Sequence, residues 1–259
     1  FLNVAHGELV MFGGYASLWA FSLLGIDPLL SIPLSMICLF LIGASLYKLV
    51  FSQTVKLPEE SKIKNTLLVA FGLSVILQNL ALRFFTADER GITTSYFSTA
   101  FTVMGIRLPI TKMASLAIAI IFLLALQLFL KRTYLGKAIR ATAQNWEAAS
   151  LMGIDIHKVY LLSFAIGTAL AGAAGTLVSV NYSIQPAMGL GWTMKALIVM
   201  VLGGLGNIPG TIMGGLILGV TESATSFFIS SNYREVAGLV LFILVLVFRS
   251  SGFFGSKES

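Results

Sequence analysis

The chain has 259 residues, of which 57% are hydrophobic and 11% charged, with a mean hydropathy of +0.91. Soluble domains carry about 25% charged residues, so this composition cannot cover a surface in water and points to a membrane protein. The net charge of +6 arises from basic residues scattered at the ends of apolar runs, with no groove-sized patch, which sets nucleic acid binding aside.

Taken in chain order, eight apolar runs approach the roughly 20 residues that a bilayer core requires. The first, Glu8–Gly25, opens just after Asn3, His6 and Gly7, with His6 and Glu8 expected at its cytoplasmic end, where Glu8 complements the helix dipole. Leu29–Val50 and Asn65–Phe84 follow. A connector over residues 85–111 then carries Thr93, Thr94, Tyr96, Phe97, Thr99, Phe101, Thr102 and Val103 and ends at Pro109; its β-branched and aromatic character suits a small external hairpin. The fourth run is Lys112–Leu130, and the fifth is Lys158–Val180, in which Gly167, Ala171 and Gly175 have small-xxx-small spacing. Thr193–Leu205 is short for a full crossing at 1.5 Å per residue, so a tilted half-helix or one part of a broken span both fit. Gly210–Ser230 and Val236–Phe248 complete the set, with small-xxx-small pairs Gly210–Gly214 and Gly215–Gly219 in the seventh. The fold class is therefore all-α, a multi-spanning transmembrane helical bundle forming one domain over residues 1–259.

Counting alternate sides orients the bundle. Lys48, Lys56, Lys62, Lys64, Lys131, Arg132, Lys137, Arg140, Lys158, Arg249 and Lys257 share one face; Arg83, Arg90, Arg107, Lys112 and Arg234 share the other. The richer face is cytoplasmic by the positive-inside rule. This puts residues 131–157 in the cytoplasm and 85–111 outside.

Within the cytoplasmic loop, Arg140 to Asp155 is a polar island between two apolar runs. Asn145 suits a helix cap, Glu147 its first turn and Gly153 its end. Ala148, Leu151 and Met152 then form one apolar stripe on a helix of about two turns. Two readings fit that pattern: a plug for a socket on another protein, or an amphipathic loop helix lying on lipid.

Ionisable residues inside spans are costly and so mark candidate sites. Glu222 is the clearest, in the seventh run, with Lys195 just inside the sixth as its expected partner. The Gly203-Gly204-Leu205-Gly206-Asn207-Ile208-Pro209-Gly210 stretch cannot continue an ordinary helix. It is either a broken segment at membrane depth that lines the solute path or a tight cytoplasmic turn. Asn3, Gly7 and Gly13-Gly14 faintly echo Asn207, Gly210 and Gly214-Gly215, which leaves an internal repeat open. Enzymatic signatures are missing: there is no H-E-x-x-H, two histidines and one cysteine (Cys38) do not build a usual zinc site, and Gly136-Lys137 lacks the surrounding P-loop pattern.

The string Glu147-Ala148-Ala149-Ser150-Leu151-Met152-Gly153 resembles the E-A-A-x-x-x-G coupling loop of ABC importer permeases. It departs from the commonest form at Leu161-Leu162-Ser163-Phe164, where an I-x-L-P is usual. Residues Gly136–Asn145 with Leu151–Ile154, the Asn3-Val4-Ala5-His6-Gly7-Glu8 segment with Met11 and Gly14-Tyr15, and Leu202–Gly210 with Gly214-Gly215 resemble the branched-chain amino acid (LivH-type) permeases. The resemblance implies an inner-membrane permease subunit of a prokaryotic ABC importer that forms the translocation path for branched-chain amino acids. A urea or short-amide permease shares the motifs, and an ATP-independent transporter or channel is the alternative from another class. It further implies a second permease subunit, two cytoplasmic ATPase subunits holding ATP and Mg²⁺, and an extracytoplasmic binding protein, with no cofactor and no catalysis on this chain.

On the same resemblance, Arg140, Asn145, Glu147, Ala148, Ala149, Leu151, Met152 and Gly153 are the coupling residues. Ala148, Ala149 and Gly153 would be small so that the backbone enters the ATPase cleft, and Glu147 would contact its rim. The translocation path is assigned to Asn3, His6, Gly7, Glu8, Lys195, Gly206, Asn207, Gly210 and Glu222. The family usually has a further hydrophobic helix before the segment beginning at Asn3, so sequence upstream of Phe1 is expected.

Overall fold

The computed structural model describes residues 3–54, 59–94, 99–103, 106–204, 206–249 and 252–253. Phe1, Lys56, Tyr96, Phe97, Leu205 and Lys257, used in the sequence reading, lie outside the described residues. The elements in order are α1 (His6–Leu24), α2 (Ile32–Leu46), a π-helical turn (Tyr47–Phe51) leading into α3 (Ser52–Thr54), α4 (Glu59–Phe85), strands β1 (Ala100–Val103) and β2 (Ile106–Pro109), α5 (Ile110–Arg132), α6 (Tyr134–Gln144), α7 (Trp146–Leu151), α8 (Ile156–Asn181), α9 (Gly189–Gly203), α10 (Ile208–Phe228) and α11 (Arg234–Phe248). Among the described residues, 8 helical stretches are long and apolar enough to cross a membrane.

The sixth stretch differs from its expected form. A 3-10 turn at Pro186–Met188 leads into α9, giving a stretch of 18 residues, Pro186–Gly203, where a half-length helix from Thr193 was expected. Proline suits the first turn of a helix because its missing N–H would be unsatisfied there anyway, so Pro186 starts the segment and Gly189 and Gly191 continue it. The expected hairpin is present: β1 and β2 are antiparallel, with Ala100 opposite Pro109 and Val103 opposite Ile106.

The chain divides into two compact units, Phe1–Leu190 and Gly191–Ser259. In the first unit α8 is the central helix. Glycine lets backbones meet there: a Cβ on Gly13 would sit 2.6 Å from Gly172 Cα, and a Cβ on Gly175 would collide with the carbonyl of Val10. On the other side a Cβ on Gly172 would lie 2.8 Å from the Ser35 carbonyl, and one on Gly43 would collide with Thr168. The close contacts on α8 are thus at Gly172 and Gly175, whereas Gly167 has open space and no packing role for its lack of a side chain. Polar pairs reinforce the seam. Thr176 Oγ1 lies 3.0 Å from Ser35 Oγ, and Ser17 and Ser31 hydroxyls pair at 3.0 Å. Phe164 packs between Tyr47 and Phe51 at the π-turn.

The loops beyond α4 and α8 are pinned together. Arg90 and Ile184 exchange both backbone hydrogen bonds, N to O, at 2.9 and 2.7 Å, and Ser183 Oγ donates to Glu89 at 3.0 Å. Large apolar side chains such as Leu23, Leu49 and Leu68 remain exposed on α1, the π-turn and α4, and the apolar stretch of α5 is not buried at all. Those surfaces fit lipid, not water.

In the second unit, Ile198, Leu202, Leu218 and Val245 form the core between α9, α10 and α11. A Cβ on Gly203 would meet Gly210 backbone at 2.6 Å, and one on Gly214 would meet the Val199 carbonyl at 2.8 Å. By contrast Gly219 has nothing within 4 Å. Overpacking a tight site costs about 1–3 kcal/mol. Gly175→Val should therefore lower the melting temperature of the detergent-purified protein by several degrees, while Gly219→Val leaves it within error. Equal melting temperatures would refute the assignment of α8 as the tightly packed seam.

Candidate functional site

The residues expected to couple form a compact unit built from local rules. Thr133 ends α5 and caps α6: its hydroxyl donates to the Phe129 carbonyl at 2.8 Å and accepts from Gly136 N at 3.0 Å. Gly136 is needed because a Cβ would collide with the Phe129 carbonyl. Arg140 Nε then donates to the Leu130 carbonyl at 3.1 Å, tying α6 back to α5. Asn145 caps α7 through Oδ1, which accepts from Ala148 N at 2.9 Å, as its sequence position predicts.

Helix α7 ends as predicted too. Gly153 has φ +81°, its N–H bonds the Ser150 carbonyl at 2.9 Å, and Ile154 N bonds the Ala149 carbonyl at 3.1 Å. Asp155 next caps α8, its Oδ1 accepting from Lys158 N at 3.1 Å. That backbone hydrogen bond and the Lys158 ammonium hold the Asp155 carboxyl below its ordinary range. The cap is therefore present above the usual carboxylate pKa and lost as pH falls through the lowered one.

The stripe of Ala148, Leu151 and Met152 is exposed, with Leu151 at 89% and Met152 at 83%. Glu147 and Gly153 are exposed beside it. Ala149 differs: it is 4% exposed, so its small side chain serves the fit of α7 to its own chain and not the entry into a partner's cleft.

The path residues fall into two groups, one per unit. In the first, Asn3 Oδ1 accepts from Ala5 N at 3.1 Å and its carbonyl accepts from His6 N at 3.1 Å, so Asn3 closes the start of α1. Gly7 is buried and His6 half-buried. Glu8 is 2% exposed, and Ser74 Oγ donates to its Oε1 at 3.2 Å.

Ser74 sits midway along the 22-residue stretch Lys64–Phe85, while Tyr15 stacks on Phe85 with centroids 3.8 Å apart. The start of α1 therefore lies beside the midpoint of the α4 stretch. His6 and Glu8 stand at the start of the first candidate span, His6–Leu24, and the Ser74 contact sets that start against the middle of α4.

In the second unit the expected pair is present. Lys195 Nζ lies 3.0 Å from Glu222, and Glu222 is 5% exposed. Arg234, which sequence reasoning left among the connector charges, adds its Nε at 2.8 Å. The signal for it was the helical hairpin itself: Gly238 Cβ space lies 3.8 Å from Glu222, and Arg234 stands one turn earlier on α11. The Lys195 ammonium also sits 5.4 Å from the Trp192 ring centre, at cation–π distance.

The glycine segment takes the turn reading. Gly204 and Gly206 have φ +80° and +79°, and Asn207 Oδ1 caps α10 by accepting from Gly210 N at 3.0 Å. Gly210 backbone packs closely on Gly203, where a Cβ would meet it at 2.6 Å. Phe253 N bonds the Leu202 carbonyl at 2.9 Å, laying the C-terminal segment over this turn.

Breaking a buried ion pair by removing one partner costs about 3–5 kcal/mol, because a buried charge is left uncompensated. Glu222→Leu alone should therefore destabilise the protein strongly. Combining it with Lys195→Met should recover part of the loss, since fewer charges remain unpaired. Thermal melts of the two variants and their combination measure this, and strict additivity would refute coupling between Lys195 and Glu222.

The profile of the family described as "Branched-chain amino acid transport system / permease component" matches residues 1–248. The high-affinity branched-chain amino acid transport system permease protein BraD of Pseudomonas aeruginosa is 32% identical, covering 99% of this chain and 87% of the relative. The corresponding permease protein LivH of Salmonella typhimurium is 35% identical over 99% of this chain and 86% of its own. A probable LivH of Methanocaldococcus jannaschii is 30% identical over 98% and 82%. No solved structure gives a significant match.

Proposed function

We propose a function from one shown premise: the chain belongs to the family of branched-chain amino acid transport system permease components, and with its eight apolar helices it is a multi-pass inner-membrane protein of a prokaryote. On our reading it carries branched-chain amino acids across that membrane as a permease subunit of an ABC importer. It works beside a second permease subunit, two ATPase subunits that bind ATP and Mg²⁺, and a soluble binding protein that delivers the substrate. This chain holds no nucleotide and catalyses no reaction itself. ATP binding in the partners moves the permease between outward-facing and inward-facing states.

The observation that carries the reading is α7, a short helix capped at both ends with Leu151 and Met152 exposed. Such a rigid, apolar projection fits a socket on a cytoplasmic ATPase, in the way an amphipathic helix lays its apolar face into a groove. Support for a delivery surface on the opposite face comes from the pinned loop that follows α4 and from the β1–β2 hairpin.

The decisive measurement is uptake by the complete complex in proteoliposomes, comparing labelled leucine, valine and urea. We expect leucine and valine to accumulate with ATP and urea not to; urea accumulation alone would overturn the substrate assignment.

The coupling role has its own test. Gly153 is a poor probe, because any side chain at φ +81° adds about 1–2 kcal/mol of strain whatever α7 touches. Leu151→Asp is clean: the residue is 89% exposed and has no internal packing to lose. The expected result is normal insertion, reduced co-purification of the ATPase, and at least a tenfold loss of substrate-stimulated ATP hydrolysis. Wild-type stimulation would remove α7 from the coupling path. Orientation is checked with single cysteines and an impermeant reagent on intact cells: position 90 should label and position 137 should not.

A further inference from the structure

We propose that Glu8 is the group that receives the substrate's ammonium at mid-membrane, an inference that rests on this chain carrying amino acids. A translocated amino acid brings a positive charge into the layer where isolated charge is most costly. A fixed carboxylate at that depth with one oxygen free is the chemical complement.

Glu8 meets this description. It is 2% exposed, it accepts one hydrogen bond at Oε1 from Ser74, and its Oε2 is buried with no hydrogen-bond partner among the described residues. Among the described residues, no lysine, arginine or histidine forms an ion pair with it. Glu222 in the other unit is the contrast, a buried carboxylate saturated by Lys195 and Arg234.

Burial makes an isolated charge on Glu8 costly, and two neighbouring features offset part of that cost. The residue lies in the first turn of a 19-residue helix, where the backbone dipole stabilises an anion. Ser74 donates to it. A proton on Oε2 would create an O–H donor that lacks an acceptor among the described residues. A cation brought to Oε2 would offset the rest of that cost.

Gly189 adds a second observation. Any Cβ there would collide with the Glu8 carboxyl group, so the start of α9 leaves room for that carboxyl and for nothing more on its backbone side. Three elements, α1, α4 and the start of α9, converge on one carboxylate. The Arg90–Ile184 backbone pairing holds the segment just before Pro186 in place.

The test uses the complete importer in proteoliposomes with labelled leucine and the liganded binding protein. Glu8→Gln keeps the shape and the Ser74 contact but removes the negative charge. We expect leucine uptake to fall at least tenfold while stimulated ATP hydrolysis stays within twofold of wild type, so that the ATP spent per leucine rises about tenfold. Glu8→Asp, which keeps the charge, should transport more than Glu8→Gln. Uptake by Glu8→Gln within twofold of wild type, or uptake equal to or above that of Glu8→Asp, would overturn the proposal. If neither variant co-purifies with its partners, Glu8 is a structural residue and the proposal also fails. The wild-type complex separates the two levels of inference: if it does not take up leucine, the substrate assignment fails, and if it does while Glu8→Gln remains active, only the role of Glu8 falls.

Discussion

The contact of α8 with α1 and α2 is the constraint on which the first unit depends. Gly172 and Gly175 permit backbone-to-backbone approach, and Gly13, Gly14 and Gly43 answer from the facing helices. In lipid there is no hydrophobic drive to bring apolar helices together, because the tails are as apolar as the side chains. Close packing and buried hydroxyl pairs such as Thr176–Ser35 have to supply the cohesion instead. That seam fixes the height of α1, and the height of α1 fixes the depth of Glu8. A sliding of α1 along α8 by a single residue would move the carboxylate by about 1.5 Å, away from the Ser74 hydroxyl.

The two buried carboxylates solve the same problem in opposite ways. Glu222 is surrounded by cations from α9 and α11, and its cluster braces three helices. Glu8 has one neutral donor and a free oxygen. Buried ionic clusters of the first kind hold architecture; a half-satisfied polar group persists only where the surrounding fold enforces it. The contrast separates a brace from a site more clearly than burial does, since both residues are almost fully enclosed.

Much of this was legible in the chain because the signals are local. The α7 caps at Asn145 and Gly153 depend on residues within one or two turns, and both stand where the pattern puts them. The Lys195–Glu222 pair was readable because an ion in a span demands a partner and few were available. What was not legible depends on tertiary depth. Glu8 lies 66 positions from Ser74, and no periodicity announces that the first apolar run begins beside the midpoint of the third. Ala149 shows the same limit on a smaller scale: the motif marks it as small, and only the fold shows that it faces inward. Arg234 was misread as an ordinary flanking charge because its partner lies on the preceding helix of a hairpin.

The charge cluster of the second unit also bears on how the chain is made. Lys195, Glu222 and Arg234 emerge from the ribosome in that order. Lys195 stands midway along its 15-residue helix, on a flexible stem that carries the ammonium away from the helix axis. Because Lys195 precedes Glu222 in the chain, α10 can enter the layer beside its cation, where a lone charge at mid-helix costs about 2.5–3.5 kcal/mol. Arg234 arrives last, on the strand of synthesis that turns back as α11, and closes the carboxylate from the other side. Sequence order thus places a cation on each side of the helix that carries the anion, one before it and one after.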